Sequence, residues 1–414
     1  MVFARRASAA PSASHERRPP LEVADVFRAH GEDYVRRHRL TPDQLAVMRD
    51  IVTCRTDVLG GHLDVCPDCG LERPSYNSCR NRHCPKCQAS AAAAWLEERK
   101  QRILPVTYFH VVFTLPAALR ALCRRNPEPL LHLLFAAASK TLLELSQDSK
   151  RLGAQLGFSA ILHTWTRALE YHPHLHCIVT GGGLNASGDQ WIATRPDYLF
   201  PVKVLGALFR GKYLDGLRRL YEAGELTFGP GCTELEAPEH FKRFLDRLYQ
   251  QSWVVYAKPP FAGPEHVYRY LGRYTHRVGI SNQRLISHDE RGVTFWTKGG
   301  ATLTLPPEEF IRRFLLHVLP RGFTKIRHYG LLAPRHVNGR LEAARRLLSG
   351  AEAAPGTPPA LRSEPMTWAE RLLSHTGVDP MVCPACGARL RRRPLPIPAV
   401  PRPQWPRQRC VDTS

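Results

Sequence analysis

No run of apolar residues in this chain approaches the roughly 20 that a membrane-spanning helix needs. The longest candidate, Pro129 to Leu145, is broken by His132, Lys140 and Glu144 and reads as a core helix. Met1 to Pro20 is rich in Ala, Ser, Arg and Pro and lacks the apolar centre of a secretory signal, so it reads as a disordered arm. No membrane partner is expected, and the expected location is the cytoplasm, at the nucleoid during action. Acids are scarce too. Against 58 Lys and Arg stand 37 Asp and Glu, an excess of 21 positive charges in 414 residues. Such an excess predicts a polyanionic partner bound in a salt-sensitive way. Aromatics, at 9%, supply surfaces on which unpaired bases can stack. A credible phosphate loop is missing as well. Gly206 to Lys212 has the spacing of one, but Tyr213 stands where Ser or Thr belongs, inside an amphipathic helical stretch from Val204 to Tyr221. No nucleotide triphosphate is expected as a partner.

What the chain does contain begins with twelve cysteines, six of them in three Cys-x-x-Cys pairs. In a large basic chain this pattern favours metal binding in a reducing compartment over a disulfide framework. Cys66-Pro-Asp-Cys69 and Cys84-Pro-Lys-Cys87 are two knuckles expected to close one tetrahedral, structural Zn2+ site. Cys54, His62, Cys79 and His83 are left over as a further set of ligand types. Two arrangements follow. A single ion leaves Cys54 and Cys79 as spares and the histidines for DNA; a cross-braced pair joins Cys54/His62 to Cys79/His83 and Cys66/Cys69 to Cys84/Cys87. The loose spacing of His62 favours one ion. Arg80, Arg82 and Lys86, with Arg73 and His83, decorate this module and are expected to grip nucleic acid. Near the other end, Cys383-Pro-Ala-Cys386 is half a zinc ribbon with only Cys410 and His375 as candidate partners. The Arg391–Arg393 run and the proline-rich end beyond it read as disordered.

The central stretch is Tyr171 to Thr180, followed by Gly181-Gly182-Gly183. At period 2, His172, His174 and His176 point to one side and Leu175, Cys177 and Val179 to the other. An apolar, β-branched run ending in glycines is a strand signal, and same-face neighbours roughly 7 Å apart can converge on one metal ion. Imidazole suits Mn, Zn, Fe or Ni; the alternative is a polar, solvated strand face. His172, His174 and His176 are the candidate ligands; His163 on a hairpin neighbour is a candidate third ligand, its alternative role being a structural hydrogen bond. The triglycine suits either a phosphate or a turn needing positive φ. A second stretch runs from Glu265 to Arg277. Pro264 and Glu265 suit a helix start, which puts Tyr270 and Tyr274 one turn apart on one face. Arg269, Arg273, His276 and Arg277 surround them, a ring of cations that a buried face would not tolerate unpaired. Phenols among arginines can meet phosphate.

Strands are expected at Tyr108 to Leu115 and Trp253 to Ala257, the latter ended by Lys258-Pro259-Pro260. A hairpin turning at Gly299-Gly300 is expected from Val293 to Leu305. Helices are expected over Ala117 to Gln147 and Glu308 to Leu319. This order predicts an α+β fold, a mostly antiparallel sheet with packed helices, preceded by a small cysteine-rich module. The expected divisions are an arm (1–20), a helical cap with the zinc module (21–98), a catalytic domain (99–335), a linker (336–365) and a basic tail (366–414).

His174-Leu175-His176, the block Tyr270-Leu271-Gly272-Arg273-Tyr274 and the zinc-binding segment before them resemble the two-tyrosine HUH transposases of rolling-circle insertion sequences. The resemblance covers roughly residues 45 to 335. It implies an HUH nuclease-like core in which the histidines hold Mg2+ or Mn2+ against a scissile phosphate. It also implies that Tyr270 or Tyr274 attacks phosphorus, leaving a 5′-phosphotyrosine link and a free 3′-OH on single-stranded DNA at element ends. The second tyrosine would serve coordinated strand exchange. Two rival readings are a zinc-dependent DNA-binding regulator without catalysis, and a rolling-circle replication initiator.

Overall fold

Helix signals open the described part of the chain. The computed structural model describes residues 21–87, 95, 102–261, 279–349 and 367–397. Helix α1 (Val23–Arg37) buries Val23, Val26, Phe27 and Tyr34, and α2 (Pro42–Thr53) buries Val47, Met48 and Ile51. Thr41 caps α2 reciprocally. Its hydroxyl accepts from the Gln44 N–H, and its own N–H donates to the Gln44 side chain, the capping box that Thr-Pro-Asp-Gln encodes. Strands β1 (Gly61–Val65) and β2 (Glu72–Tyr76) follow as an antiparallel hairpin.

The main sheet comes next. Strand β3 (Tyr108–Thr114) is followed by α3 (Arg120–Arg125) and α4 (Pro127–Gln147), then by the long β4 (Gln155–Trp165) and β5 (Tyr171–Leu184). A short β6 (Trp191–Ala193), α5 (Val202–Glu222), α6 (Pro238–Gln250) and β7 (Val255–Phe261) complete this run. Pairing is antiparallel throughout, with β5 between β3 and β4, β7 beyond β3, and a later strand beyond β4. The alternation in β5 is as expected: Leu175, Cys177 and Val179 face a core, and the histidines face away from it. Val111, Phe113, Ala160 and Leu162 join that core beneath Leu134, Phe135 and Leu142 of α4 and Phe209 and Tyr213 of α5. Each such Leu or Phe contributes about 1.5–3 kcal/mol by leaving water, so the helix-covered face fixes the direction of the other.

Two local expectations are corrected. Strand β7 does not stop at Ala257; it continues through Lys258-Pro259-Pro260 to Phe261. Among the described residues β7 pairs only with β3, and an edge strand tolerates prolines because its outer side needs no N–H donor. Nor is the triglycine a turn or a phosphate loop: β5 runs through it. A Cβ on Gly181 would lie 2.2 Å from Thr107 Oγ1, and one on Gly183 would lie 2.4 Å from the Gln155 carbonyl oxygen. Glycine is there because Thr107 and the Gln155 backbone come too close for any side chain.

A second layer follows the main sheet. Strands β8 (Leu285–Asp289), β9 (Gly292–Trp296) and β10 (Thr302–Leu305) form the expected hairpin and its neighbour, and α7 (Pro307–Leu315) packs on them. Phe27 of α1 meets Phe314 of α7 edge-on at 5.3 Å, so the amino-terminal helices share this second core. Cys54 and Cys84 lie in it as well. Strand β11 (Ile326–Gly330) returns to pair with β4, followed by α8 (Arg340–Ser349), α9 (Trp368–Thr376) and β12 (Arg391–Leu395). The last of these overturns the expectation of a disordered tail there. Strand β12 pairs antiparallel with β1, from Gly61 opposite Leu395 to Val65 opposite Arg391. Among the described residues no helix is long and apolar enough to cross a membrane.

An imidazole cluster on the sheet and two thiolate clusters beside it

The register of β4 against β5 sets His163 directly opposite His174. His176 stands two residues further along the same face of β5. One ring nitrogen from each of His163, His174 and His176 lies within 4.8 Å of the other two. Their orientation is fixed from behind. The Nδ1 of His174 lies 2.7 Å from the carbonyl oxygen of His172. A carbonyl only accepts, so Nδ1 carries the proton and Nε2 keeps its lone pair. The Nδ1 of His176 lies 2.8 Å from Nε2 of His110, whose buried ring stacks on it at 5.1 Å and 10°. Trp165 stacks on His163 at 4.6 Å. Burial lowers the His174 pKa to about 4, which keeps that ring neutral, as a metal ligand must be. Three imidazoles on one face suit a divalent transition ion. His172 does not join them. Its Nδ1 accepts from the Arg120 guanidinium at 3.1 Å, and burial followed by that charge lowers its pKa.

Tyr270, Tyr274, Arg269, Arg273 and Arg277 lie outside the described residues. The points where the chain leaves and returns are described. Phe261 pairs with Tyr108, which pairs in turn with Thr180 of β5. The chain resumes at Gly279, where a Cβ would sit 3.0 Å from both His317 and Leu169, just before β5 begins. Along β5, His174 and His176 fall between those two levels.

The expected zinc ligands are present, but differently grouped. Cys54, Cys79, Cys84 and Cys87 converge, with Cys87 Sγ at 3.5 Å from Cys54 and 3.6 Å from Cys79. Cys66 and Cys69 do not join Cys84 and Cys87; they meet Cys383 and Cys386. The reason is the length of a strand. Cys54 and Cys79 flank the base of the β1–β2 hairpin, where the Arg55 N–H donates to the Asn77 carbonyl, whereas Cys66 and Cys69 form its tip. Five residues of strand separate the two ends by roughly 16 Å, too far for a shared ion. Neither histidine of the cross-braced alternative joins a cysteine cluster. The Nε2 of His83 accepts from the Leu319 N–H at 3.2 Å, and its Nδ1 faces the Asn81 side-chain oxygen at 3.3 Å. Burial, then Arg82, pushes the His83 pKa to about 3. His62 lies 3.9 Å from the Asp64 carboxylate.

The basic residues of this module also part company. The guanidinium of Arg82 donates to the carbonyls of Leu319, Pro320 and Phe323, stapling the loop before β11. Lys86 pairs with Glu22 at 2.7 Å. Arg80 alone of the three is exposed, on a backbone at φ 54°. Sequence reasoning missed His110 and Arg120. The signal for His110 was its place in an alternating strand, but which strand would lie beside it was not written there.

Fold and site thus define an antiparallel α+β protein that carries an imidazole cluster on its sheet and a separate thiolate module. Residues 157–340 match the family described as "Putative transposase", and residues 26–115 match "Transposase zinc-binding domain". The chain is 46% identical over 372 residues to "Putative transposase y4qJ" of Sinorhizobium fredii (strain NBRC 101917 / NGR234), covering 88% of this chain and 92% of that one. It is 29% identical over 363 residues to "Transposase for insertion sequence element IS801" of Pseudomonas savastanoi pv. phaseolicola, covering 84% and 82%. No solved structure matches it. The chain belongs to the IS91/IS801 family of insertion-sequence transposases, with a zinc-binding domain at its amino-terminal side.

Proposed function

We propose that this transposase cleaves and rejoins single-stranded DNA at the ends of its element through a 5′-phosphotyrosine intermediate, in rolling-circle fashion. The observation that carries the reading is the trio of His163, His174 and His176, two of them held from behind through Nδ1. Mg2+ or Mn2+ held by the trio would supply Lewis-acid polarisation of a non-bridging phosphate oxygen. The path of the chain supports a nucleophile from Tyr270 or Tyr274. The described chain on either side of them ends at Phe261, level with Thr180, and resumes at Gly279, against Leu169, and His174 and His176 lie between those two levels.

The phenol oxygen forms a bond to phosphorus as the P–O3′ bond breaks, and the departing oxygen takes up a proton as a 3′-OH. An ordinary phenol has a pKa of about 10; Arg269, Arg273 and Arg277 would lower the cost of the phenolate and of charge on the phosphate. Because the link keeps the energy of the broken ester, rejoining needs no nucleotide triphosphate. The second tyrosine opens another strand while the first is occupied.

The test is a labelled single-stranded oligonucleotide spanning an element end, incubated with Mn2+ and resolved under denaturing conditions. A covalent adduct mapped by mass spectrometry to Tyr270 or Tyr274, and lost from that position on substitution by Phe, is expected. Full strand transfer by both single variants would refute paired nucleophiles. No adduct under any divalent ion would leave a DNA-binding regulator.

A further inference from the structure

We propose that Cys66, Cys69, Cys383 and Cys386 form a second structural zinc site, which completes a zinc ribbon from segments at opposite ends of the chain. The sulfurs of all four lie within 4.8 Å of one another. Cys66 Sγ is 3.4 Å from Cys386 Sγ, and Cys69 Sγ is 3.6 Å from Cys383 Sγ. A disulfide needs about 2.05 Å. A tetrahedron with Zn–S bonds of about 2.3 Å puts its sulfurs about 3.8 Å apart, so the spacing is that of metal ligands. The donor set, four thiols without oxygen or nitrogen, selects thiophilic ions such as zinc.

The two contributing turns are twins. Each reads Cys-Pro-x-Cys-Gly: Cys66 to Gly70, and Cys383 to Gly387. In each, the glycine N–H donates to the carbonyl of the first cysteine, at 3.1 Å for Gly70 and 2.9 Å for Gly387. In each, the N–H of the first cysteine donates to the carbonyl two residues past the second, at 2.9 Å to Leu71 and 2.8 Å to Ala388. Both glycines sit at positive φ, +73° and +80°, where a side chain would be strained. The first cysteine of each is buried and the second exposed.

The rest of the ribbon cannot hold itself together. Its apolar centre is Cys66, Cys383 and Leu390, with Leu71 and Ala388 packed against them. A core of that size does not stabilise a three-stranded sheet, and small domains of this kind rely on a metal. One polar lock assists. Asp64, 1% exposed on the central strand, accepts from Arg392 on one side at 2.8 Å and from Arg73 on the other at 3.1 Å. Arg73 also donates to the Pro380 carbonyl at 2.6 Å. With the site closed, β12 presents Arg391 and Arg393 to solvent on a fixed strand.

The site is tested on the full-length chain, all proteins carrying His174→Ala and His176→Ala so that the imidazole cluster adds no metal. Zinc is counted by elemental mass spectrometry after gel filtration. Two ions per chain are expected, falling to one in Cys383→Ser/Cys386→Ser. Equal zinc content in the two proteins overturns the proposal. A second measurement needs no cysteine variant. Cys69 and Cys386 are exposed, so free thiols there would alkylate at once. In the zinc-loaded protein they are expected to resist iodoacetamide, and to react together when a strong chelator is added. Rapid alkylation of Cys386 before chelation also overturns the proposal.

Discussion

Replacing His110 by Phe tests whether the imidazole cluster is a metal site with an ordered surround. His110 is buried, stacks within 10° of parallel on His176, and meets its Nδ1 at 2.8 Å. Phenylalanine keeps the flat ring and most of the volume, so the stack survives and the nitrogen contact goes. His176 then loses a partner that fixes its tautomer and aim. Removing such an outer partner typically costs 10- to 100-fold in metal affinity, about 1.4 to 2.7 kcal/mol. The assay is Mn2+ titration followed by the paramagnetic signal of the free ion, comparing wild type, His110→Phe and His174→Ala. His174→Ala is expected to lose the site; His110→Phe is expected to weaken it by the stated factor while unfolding without Mn2+ at nearly the wild-type temperature. If His110→Phe binds Mn2+ within twofold of wild type while His174→Ala does not bind, the contact is packing and the orienting argument fails.

Three further outcomes follow from the same geometry. Asp64→Asn removes the charge that Arg73 and Arg392 share; burial opposes ionisation there, yet those hydrogen bonds hold the carboxyl below its usual range. Charge-assisted bonds contribute about 1.5–3 kcal/mol each, and the arginines regain water, so a net loss of about 2–3 kcal/mol is expected. Amide exchange in β12 should quicken by roughly 30- to 150-fold, and unchanged exchange would count against the lock. His317, buried between Leu169 and Thr164, is held neutral with a pKa of about 4. The unfolded chain therefore binds a proton that the folded one refuses between about pH 6.5 and 4. Stability is level above that window from this group and falls as pH drops through it, by about 1.4 kcal/mol per pH unit. His317→Gln should flatten the urea-unfolding stability profile by that slope, and parallel profiles would refute the assignment. Finally, Cys54 and Cys84 are fully buried in the core that α1 and α2 share with α7. Chelation should expose residues 21–53 to protease while leaving the main sheet protected; simultaneous loss of both would show a single cooperative unit.

Where the chain's own periodicity decides a structure, the sequence was legible. Alternation in Tyr171 to Val179 and in Tyr108 to Thr114 marked the sheet and the face of its histidines. Thr-Pro-Asp-Gln marked the start of α2, and Gly299-Gly300 the turn before β10. Periodicity does not say which distant segments meet. That His163 and not His172 lies with His174 and His176 is a matter of strand pairing, made by the hairpin register. The grouping of cysteines depended on how far a five-residue strand carries a knuckle from its neighbours. One signal was nevertheless readable: Cys66 and Cys383 open the same Cys-Pro-x-Cys-Gly phrase, whereas Gln88 stands in place of the glycine after Cys87. Arg82 and Lys86 show what spacing leaves out. A cation beside a zinc knuckle reads as a DNA contact until carbonyls or Glu22 are found at its tip.

Strand β1 emerges from the ribosome long before the partner that covers its other side. From Val65 to Leu395 is 330 residues (395 − 65), and at about 5–20 residues per second translation needs about 16 to 66 seconds to deliver β12. Throughout that interval one edge of the hairpin has its hydrogen-bonding groups open. A polypeptide cut short by a premature stop never closes it. Completion of the message is thus built into the assembly of the amino-terminal module.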